Sequence, residues 1–506
     1  MAPGPPLFRD VSLYSSSIRA RIQFFGALAL LAHVGMMLPS WLEAGKLWGG
    51  DPEGRTYRFV DGLSAMFPWI PFRTFFTSDT AAVLWNLVPL TFATVAAVIL
   101  LILLQRADPA AVDGRCVQLV RRWAYAFAAV SFLAFPVFTQ DFWLSPAWGR
   151  MIVQGHNIYY VDFSDEAVRG LPLDHFPMRM AYGPLWAIFS AFLMALIGGH
   201  VLVVGIVFKA VLTVAWIGAV LIVERLTRDS GPHTVCIALV TIGWLPAGVS
   251  QSVAEGHNDI VLVALFMLWW LLLRHGGGWP APLALAASAL CKYVSAPLFL
   301  IDAIHAPRVE RLSFPRYILR CAPAAVLIGV SFLPFLKSLG FFEGMRMIGS
   351  WHFMSLGDCF AVLGTWLHLP LGPLAIVAKL VFVAVALYYV WQSMLMPSAE
   401  AFNRLLVALM AVVAFVASPH LWPWYLIWVL APATLAPGWW LSRFVVGMAL
   451  IAPFTVAFWW VDGVEDHKDV GALVLYGGAL LWTFASYRLV PSSRISPSAA
   501  QPRGST

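Results

Sequence analysis

The sequence is short of charge. Asp, Glu, Lys and Arg make up 11% of its 506 residues, against about 25% in a soluble globular chain. That shortage excludes a soluble domain as the bulk of the chain. Cysteine is scarce as well. Cys116, Cys236, Cys291, Cys321 and Cys359 form no CxxC, so neither a disulfide framework nor a zinc site is expected. There is no P-loop, no GxGxxG, no nucleophile elbow and no HExxH. The short alternating segments that would build a transmembrane β-barrel are missing too.

What is present is apolar. Hydrophobic residues make up 60% of the chain. They come in blocks of roughly 20, the length that crosses a hydrocarbon core of about 30 Å. The expected fold is an all-α polytopic membrane protein. Its 24 Trp and 35 Phe fit aromatic belts at the two interfaces. The net charge of +6 is no nucleic-acid signature, because the basic residues sit mostly in short connectors where they set orientation. Membrane lipids are expected partners and nucleic acid is not.

Spans are expected near 20–38, 81–104, 123–138, 201–223, 235–249, 260–273, 322–336, 374–394, 405–417, 425–435, 444–460 and 470–487. With short segments between them, the count comes to roughly 12–14 crossings. Residues 1–487 then form a single integral-membrane domain, and the Ser-, Pro- and Arg-rich tail 488–506 is expected to be disordered in the cytoplasm. Arg9, Arg19 and Arg21 precede the first span, and no A-x-A site follows it, so it reads as uncleaved. Residues 184–198 are too short for a full crossing and are expected to be re-entrant or to lie on the surface. Residues 280–300 are expected as a hairpin of two short helices with Lys292 near its tip.

The connector 139–184 is polar, acidic and turn-rich, and it lies between apolar segments. Phe142, Trp143, Trp148, Tyr159, Tyr160, Phe163 and Phe176 are too many aromatics for a disordered linker. A loop this long is usually functional when it is ordered. Asp141 opens it at the membrane face. It is either a general base that takes a proton from an acceptor hydroxyl, or a solvated acid or helix cap. Arg150 and Asn157 follow in the same loop.

Two other places carry polar groups that apolar neighbours do not explain. Glu255-Gly256-His257-Asn258-Asp259 gathers two carboxylates, an imidazole and an amide directly before an apolar run. Capping accounts for one of them, not four. His257 and Asp259 are too close to share a helix face, so a metal is not expected there. Lys292 stands among Ala, Leu, Ser and Val, a placement costing about 2.5–3.5 kcal/mol at a span centre. It either snorkels to an interface or faces inward and binds phosphate as a point charge. His352 in Trp351-His352-Phe353 and His420 in the run from Ser418 to Tyr425 are weaker candidates, since interface belts explain the aromatics around them.

Taken in order, the chain shows Asp141 after a span, then Gly149-Arg150, Gly155-His156-Asn157-Ile158-Tyr159, Tyr182-Gly183-Pro184 and Gly256-His257-Asn258-Asp259. Lys292, Trp351-His352-Phe353 and Pro423-Trp424-Tyr425 follow. This order resembles the bacterial polyprenyl-phosphate-dependent glycosyltransferases of the C-type superfold, especially the mannosyltransferase-like family 87. The resemblance covers roughly residues 138–432. It implies a large outer-face loop with juxtamembrane helices, and a bacterial inner membrane with the active site facing outward. It implies a polyprenyl-phosphate-sugar donor carrying mannose or another hexose or pentose. It also implies a glycan or lipid acceptor of the cell envelope, and transfer with inversion. Asp141 is the implied catalytic base. Arg150, Asn157, Tyr182, Glu255, His257, Asn258, Asp259, Lys292, His352 and His420 are the substrate-binding candidates. No cofactor is called for, with a divalent metal left open. The chemistry needs no nucleotide domain, because a lipid phosphate is already a good leaving group. The rival class is a polytopic transporter or flippase, which also buries ionisable groups but more often shows matched repeats.

Overall fold

The computed structural model describes residues 11–48, 79–134, 136, 139, 141–169, 171, 178–337, 342–460 and 468–489. The connector 49–78, Phe138, Phe176 and the tail from residue 490 lie outside the described residues. Among the described residues the chain is helical, and no strand forms beyond one isolated bridge between Phe353 and His420. The all-α polytopic expectation holds.

Among the described residues, six helices are long and apolar enough to cross a membrane, or seven if one bent pair counts as a single span. They include Ser17–Met37, Asn86–Arg106, Gly372–Leu395 and Val470–Leu489. Five further apolar helices among the described residues have 10–17 residues, including Pro184–Ile197 and Pro280–Cys291. The difference from the expected count comes from breaks. Hydropathy marks apolar stretches, but it does not show where proline, a π-turn or a cap stops the helix. Pro184–Ile197 has 14 residues, about 21 Å of helix at 1.5 Å per residue, too short to cross alone.

The connector after the third apolar segment is more regular than its composition implies. It opens with a 13-residue helix, Asp141–Val153, buried along nearly its whole length. That helix packs closely on Pro184–Ile197. A Cβ on Gly149 would stand 2.6 Å from the Ser190 carbonyl, so only glycine lets the two backbones approach. The chain breaks again beside the GHND run, where Pro246–Ala254 and Asp259–Arg274 meet at a bend of 120°. The segment Ser250–Ala254 is a single π-turn, a distortion frequent at functional sites.

Candidate active site

Two helix ends meet at the centre of the site. Asp259 is the first residue of Asp259–Arg274, where the positive end of the helix dipole favours a carboxylate. Lys292 is the C-cap of Pro280–Cys291, with φ −155° and ψ 127°, where the negative end favours a cation. Lys292 therefore stands at a break, between that helix and the 3-10 turn Tyr293–Leu298.

Lys292 Nζ donates to Asp259 Oδ1 at 2.8 Å. Trp428 Nε1 donates to the same oxygen at 2.5 Å. Asp259 Oδ2 is buried and has no partner among the described residues. Three rings surround the ammonium: Tyr425 at 4.6 Å, Tyr182 at 5.0 Å and Trp428 at 5.0 Å from its centroid. Each ring face attracts the cation, more strongly where water is excluded.

The Tyr182-Gly183-Pro184 element acquires a physical reason. Pro184 starts its helix, where a missing N–H costs nothing. The Gly183 N–H donates to the Cys291 carbonyl at 3.0 Å. A Cβ at Gly183 would lie 2.0 Å from the Leu290 carbonyl oxygen. The glycine thus seats the Tyr182 strand of chain directly on the end of the helix that carries Lys292, and this brings the Tyr182 ring over the ammonium.

Gly256 does the same for Asp141. It adopts φ +73°, and a Cβ there would meet the Phe142 ring at 2.4 Å. Phe142 follows Asp141, so the start of the loop helix rests on the bend that precedes Asp259. The Asp141 backbone N–H donates to Thr139 Oγ1 at 3.0 Å. Burial pushes the Asp141 carboxyl up to about 6, with the Lys292 charge pulling it down and the Asp259 charge pushing it further up. Asp141, Asp259 and Lys292 thus form one electrostatic unit, although they are up to 151 positions apart in sequence.

Two imidazoles flank this unit. His257 stacks on Trp424 at 3.8 Å and 13°. Its Nε2 is buried without a partner among the described residues. His420 lies 3.3 Å through Nδ1 from the Trp351 carbonyl and 3.2 Å through Nε2 from the Tyr425 hydroxyl. Burial lowers its pKa to about 4, so the ring is neutral at pH 7. The tautomer that serves both contacts carries its proton on Nδ1 and accepts from Tyr425 at Nε2. The Lys292 charge acts on His420, which connects this histidine to the centre.

Other expected residues fall elsewhere. Arg150 donates to three backbone carbonyls, of Ala167, Arg169 and Gly199, and so ties the loop to its own surroundings. Asn157 bonds the Phe335 carbonyl at 3.1 Å and accepts from the Tyr159 N–H. Glu255 carries a charge that acts on Lys209, which is a different neighbourhood. Asn258 is buried and precedes the Asp259 helix without a side-chain cap bond. His352 is exposed, with its charge acting on His420. Tyr425 and Trp428 are the contacts that composition hid. Their spacing of three puts both on one face of the turn that leads into Ile427–Ala433, and that spacing was the available signal. Among the described residues, no group of three or more His, Cys, Asp or Glu could hold a metal ion.

Residues 63–306 match the MptA_B family, alpha-(1->6)-mannopyranosyltransferase, N-terminal domain. The match contains Asp141, Tyr182, Asp259 and Lys292. No curated protein and no solved structure gave a match. The chain is a multi-pass membrane protein, and over residues 63–306, a little under half of its length, it is similar to a mannosyltransferase family, which supports a membrane glycosyltransferase.

Proposed function

We propose that the chain transfers a sugar, mannose in the first instance, from a polyprenyl-phosphate donor to a glycan or lipid acceptor of the bacterial cell envelope, inverting the anomeric centre. The observation that carries this reading is Lys292, held in three aromatic rings beside Asp259 and within electrostatic reach of Asp141. A buried cation within electrostatic reach of Asp141, whose carboxyl burial pushes up, suits an acid–base group working beside a phosphate.

In the reaction the acceptor hydroxyl oxygen attacks the anomeric carbon. Its proton passes to the Asp141 carboxylate. The bond from the anomeric carbon to the phosphate oxygen breaks, and its electron pair leaves with the lipid phosphate. Lys292 neutralises the charge that gathers on that oxygen. A single displacement inverts the centre. To reach Lys292 the phosphate must compete with Asp259. The released carboxylate and His257 Nε2 are then acceptors for sugar hydroxyls or other donors, since both carry an unused buried atom. Tyr182 and Tyr425 shape the pocket around the cation.

The basic connectors support a site on the outer face of the bacterial inner membrane. With Gln154→Cys and Asp229→Cys, an impermeant thiol reagent should label the first in intact spheroplasts and the second only after lysis. The reverse pattern would overturn this orientation. The function itself is tested with purified protein, labelled polyprenyl-phosphomannose and a membrane extract as acceptor source. Label should move to extract glycans or lipids. If the protein instead moves lipid or solute across proteoliposomes with no transfer, it is a transporter.

A further inference from the structure

Lys209 lies in the helix Val201–Thr227, amid Val, Ile, Leu and Phe, and its residue is 3% exposed. Such a lysine is expensive within a span and marks a task. It makes no contact with the Lys292 cage. Instead Nζ donates to the Ser131 carbonyl at 3.0 Å, to the Ala134 carbonyl, and to the Ala254 carbonyl at 3.2 Å. The carboxylate of Glu255, the residue after Ala254, adds its charge to the same ammonium.

The three acceptors belong to two segments. Ser131 and Ala134 lie at the end of the helix Gly114–Leu133, where the Ser131 carbonyl also accepts from the Ala134 N–H at 3.2 Å. Seven residues after Ala134 the chain reaches Asp141. Ala254 ends the π-turn Ser250–Ala254. Five residues after it the chain reaches Asp259. One ammonium therefore clamps the chain seven residues before the candidate base to the chain five residues before the carboxylate that holds Lys292. All three of its donors are used, so there is no N–H left over for a substrate.

We infer that Lys209, held by Glu255, is a positioning residue that sets the spacing between Asp141 and the Asp259–Lys292 pair. This rests on the assignment of Asp141 and Lys292 as the reacting pair. It moves Glu255 from the substrate to the scaffold. Arginine offers donors to several carbonyls and keeps the charge, so it substitutes in part; methionine keeps the volume and none of the bonds.

The experiment compares the full-length wild type with Lys209→Arg, Lys209→Met and Glu255→Gln, all reconstituted in lipid. Hydrogen exchange by mass spectrometry needs no substrate. In Lys209→Met, exchange should rise in both 131–141 and 250–259 and remain unchanged in 314–332, which Lys209 does not touch. A rise in only one segment, or in neither, overturns the link. Because no reaction is measured, this result stands or falls apart from the role of Asp141. Transfer from labelled polyprenyl-phosphomannose to the membrane extract then tests positioning. Misplacing reacting groups by about 1 Å is able to cost on the order of 10²-fold in rate. Lys209→Met should therefore lower kcat by about 10- to 100-fold with donor KM within about twofold, and Lys209→Arg should recover part of the loss. Glu255→Gln keeps the fold more securely and should show a smaller fall in kcat, again without a change in KM. If Glu255→Gln raises donor or acceptor KM at constant kcat, Glu255 binds substrate and the inference fails. It also fails if Lys209→Met opens both segments yet keeps the wild-type kcat.

Discussion

Two ion clusters are built on the helix Asp259–Arg274, and they differ in what they leave unused. One begins at Asp259. The other lies about 15 Å further along the helix axis, where Trp269 Nε1 donates to Asp302 Oδ1 at 2.9 Å. There Arg320 donates to Asp302 Oδ2 at 2.5 Å and to both oxygens of Glu310 at 2.8 Å, while His305 Nδ1 lies 3.1 Å from Glu310. Every Asp302 and Glu310 oxygen in that cluster has a partner. At Asp259 the cation meets one oxygen and three rings, and the second oxygen is buried and idle. An unsatisfied buried polar atom costs about 1–3 kcal/mol. A cluster with every carboxylate oxygen matched holds helices together, even though Arg320 Nε is buried without a hydrogen-bond partner among the described residues. An unsaturated one holds back acceptors that a substrate is able to use. The difference between structural and chemical charge in this protein thus lies in the unused carboxylate oxygen, which the Asp259 cluster has and the Asp302–Glu310 cluster lacks.

The largest effect expected on that contrast is at Asp141. Asp141→Asn keeps the size and most hydrogen bonding but accepts no proton. Turnover should fall by about 10²–10⁴-fold with donor binding little changed. A purified Asp141→Asn protein that transfers label at the wild-type rate would remove the base from the proposal, and Asp259 would be the next carboxylate to test.

Next comes the direct exchange of roles between the two cations. Removing Arg320 leaves Asp302 and Glu310 buried without their partner, and breaking a buried pair in this way costs about 3–5 kcal/mol. Arg320→Met should lower the unfolding midpoint sharply, while turnover per folded molecule remains near wild type. Lys292→Met should do the reverse in kind, weakening donor use far beyond any loss of stability, with Lys292→Arg a partial rescue. Equal loss of turnover per folded molecule in Arg320→Met and Lys292→Met would erase the distinction between the clusters.

A smaller effect is expected at Gly183. A methyl group there would stand 2.0 Å from the Leu290 carbonyl oxygen, and overpacking of this kind costs about 1–3 kcal/mol. The displaced Tyr182 should leave the Lys292 ammonium, so donor KM should rise. Gly218→Ala is the matched control, since nothing lies within 4 Å of a Cβ there. Equal KM values in the two variants would mean that Tyr182 contributes nothing to the cage.

The groups that the sequence revealed are those that break an apolar pattern. Asp141, Asp259 and Lys292 are charges beside long hydrophobic runs, and the structure brings them together. Tyr425 and Trp428 were hidden because aromatics are common at membrane interfaces, so two more in a belt-like run carry little signal. Arg150 and Asn157 are a different case. They are near Asp141 in sequence, but their side chains bond local or distant backbone carbonyls instead. Lys209 and the Asp302–Arg320 cluster escaped notice because their partners are far away in the chain or are backbone atoms. The interruptions near Gly256 and Lys292 were legible as gaps between apolar runs, but the 120° bend, the π-turn and the Gly183 packing that turn them into a site were not.

The mildest test uses pH. The Asp141 carboxyl is raised from 3.8 to about 6, chiefly by burial. A base must be ionised to act, so the rate should rise about tenfold per pH unit below about 6 and level off above it. Folding responds with the opposite sign. Between about 4 and 6 the folded protein holds this proton and the unfolded chain does not, so the Asp141 contribution to stability falls as pH rises through that window. Activity gained while stability is lost, over the same interval, is a signature of a carboxylate held for use. The far cluster gives no such limb, because the Glu310 carboxyl is pulled below its ordinary value by the hydrogen bonds of His305 and Arg320, against the opposing effect of burial. Its stability is therefore present above the ordinary carboxylate range and is lost only as pH falls through the lowered value. The rate profile should move in Lys292→Arg, whose charge sits differently against Asp141, and remain in place in Arg320→Met. An acid limb near 4 in the wild type, or one that shifts with Arg320, would show that Asp141 does not set the protonation step.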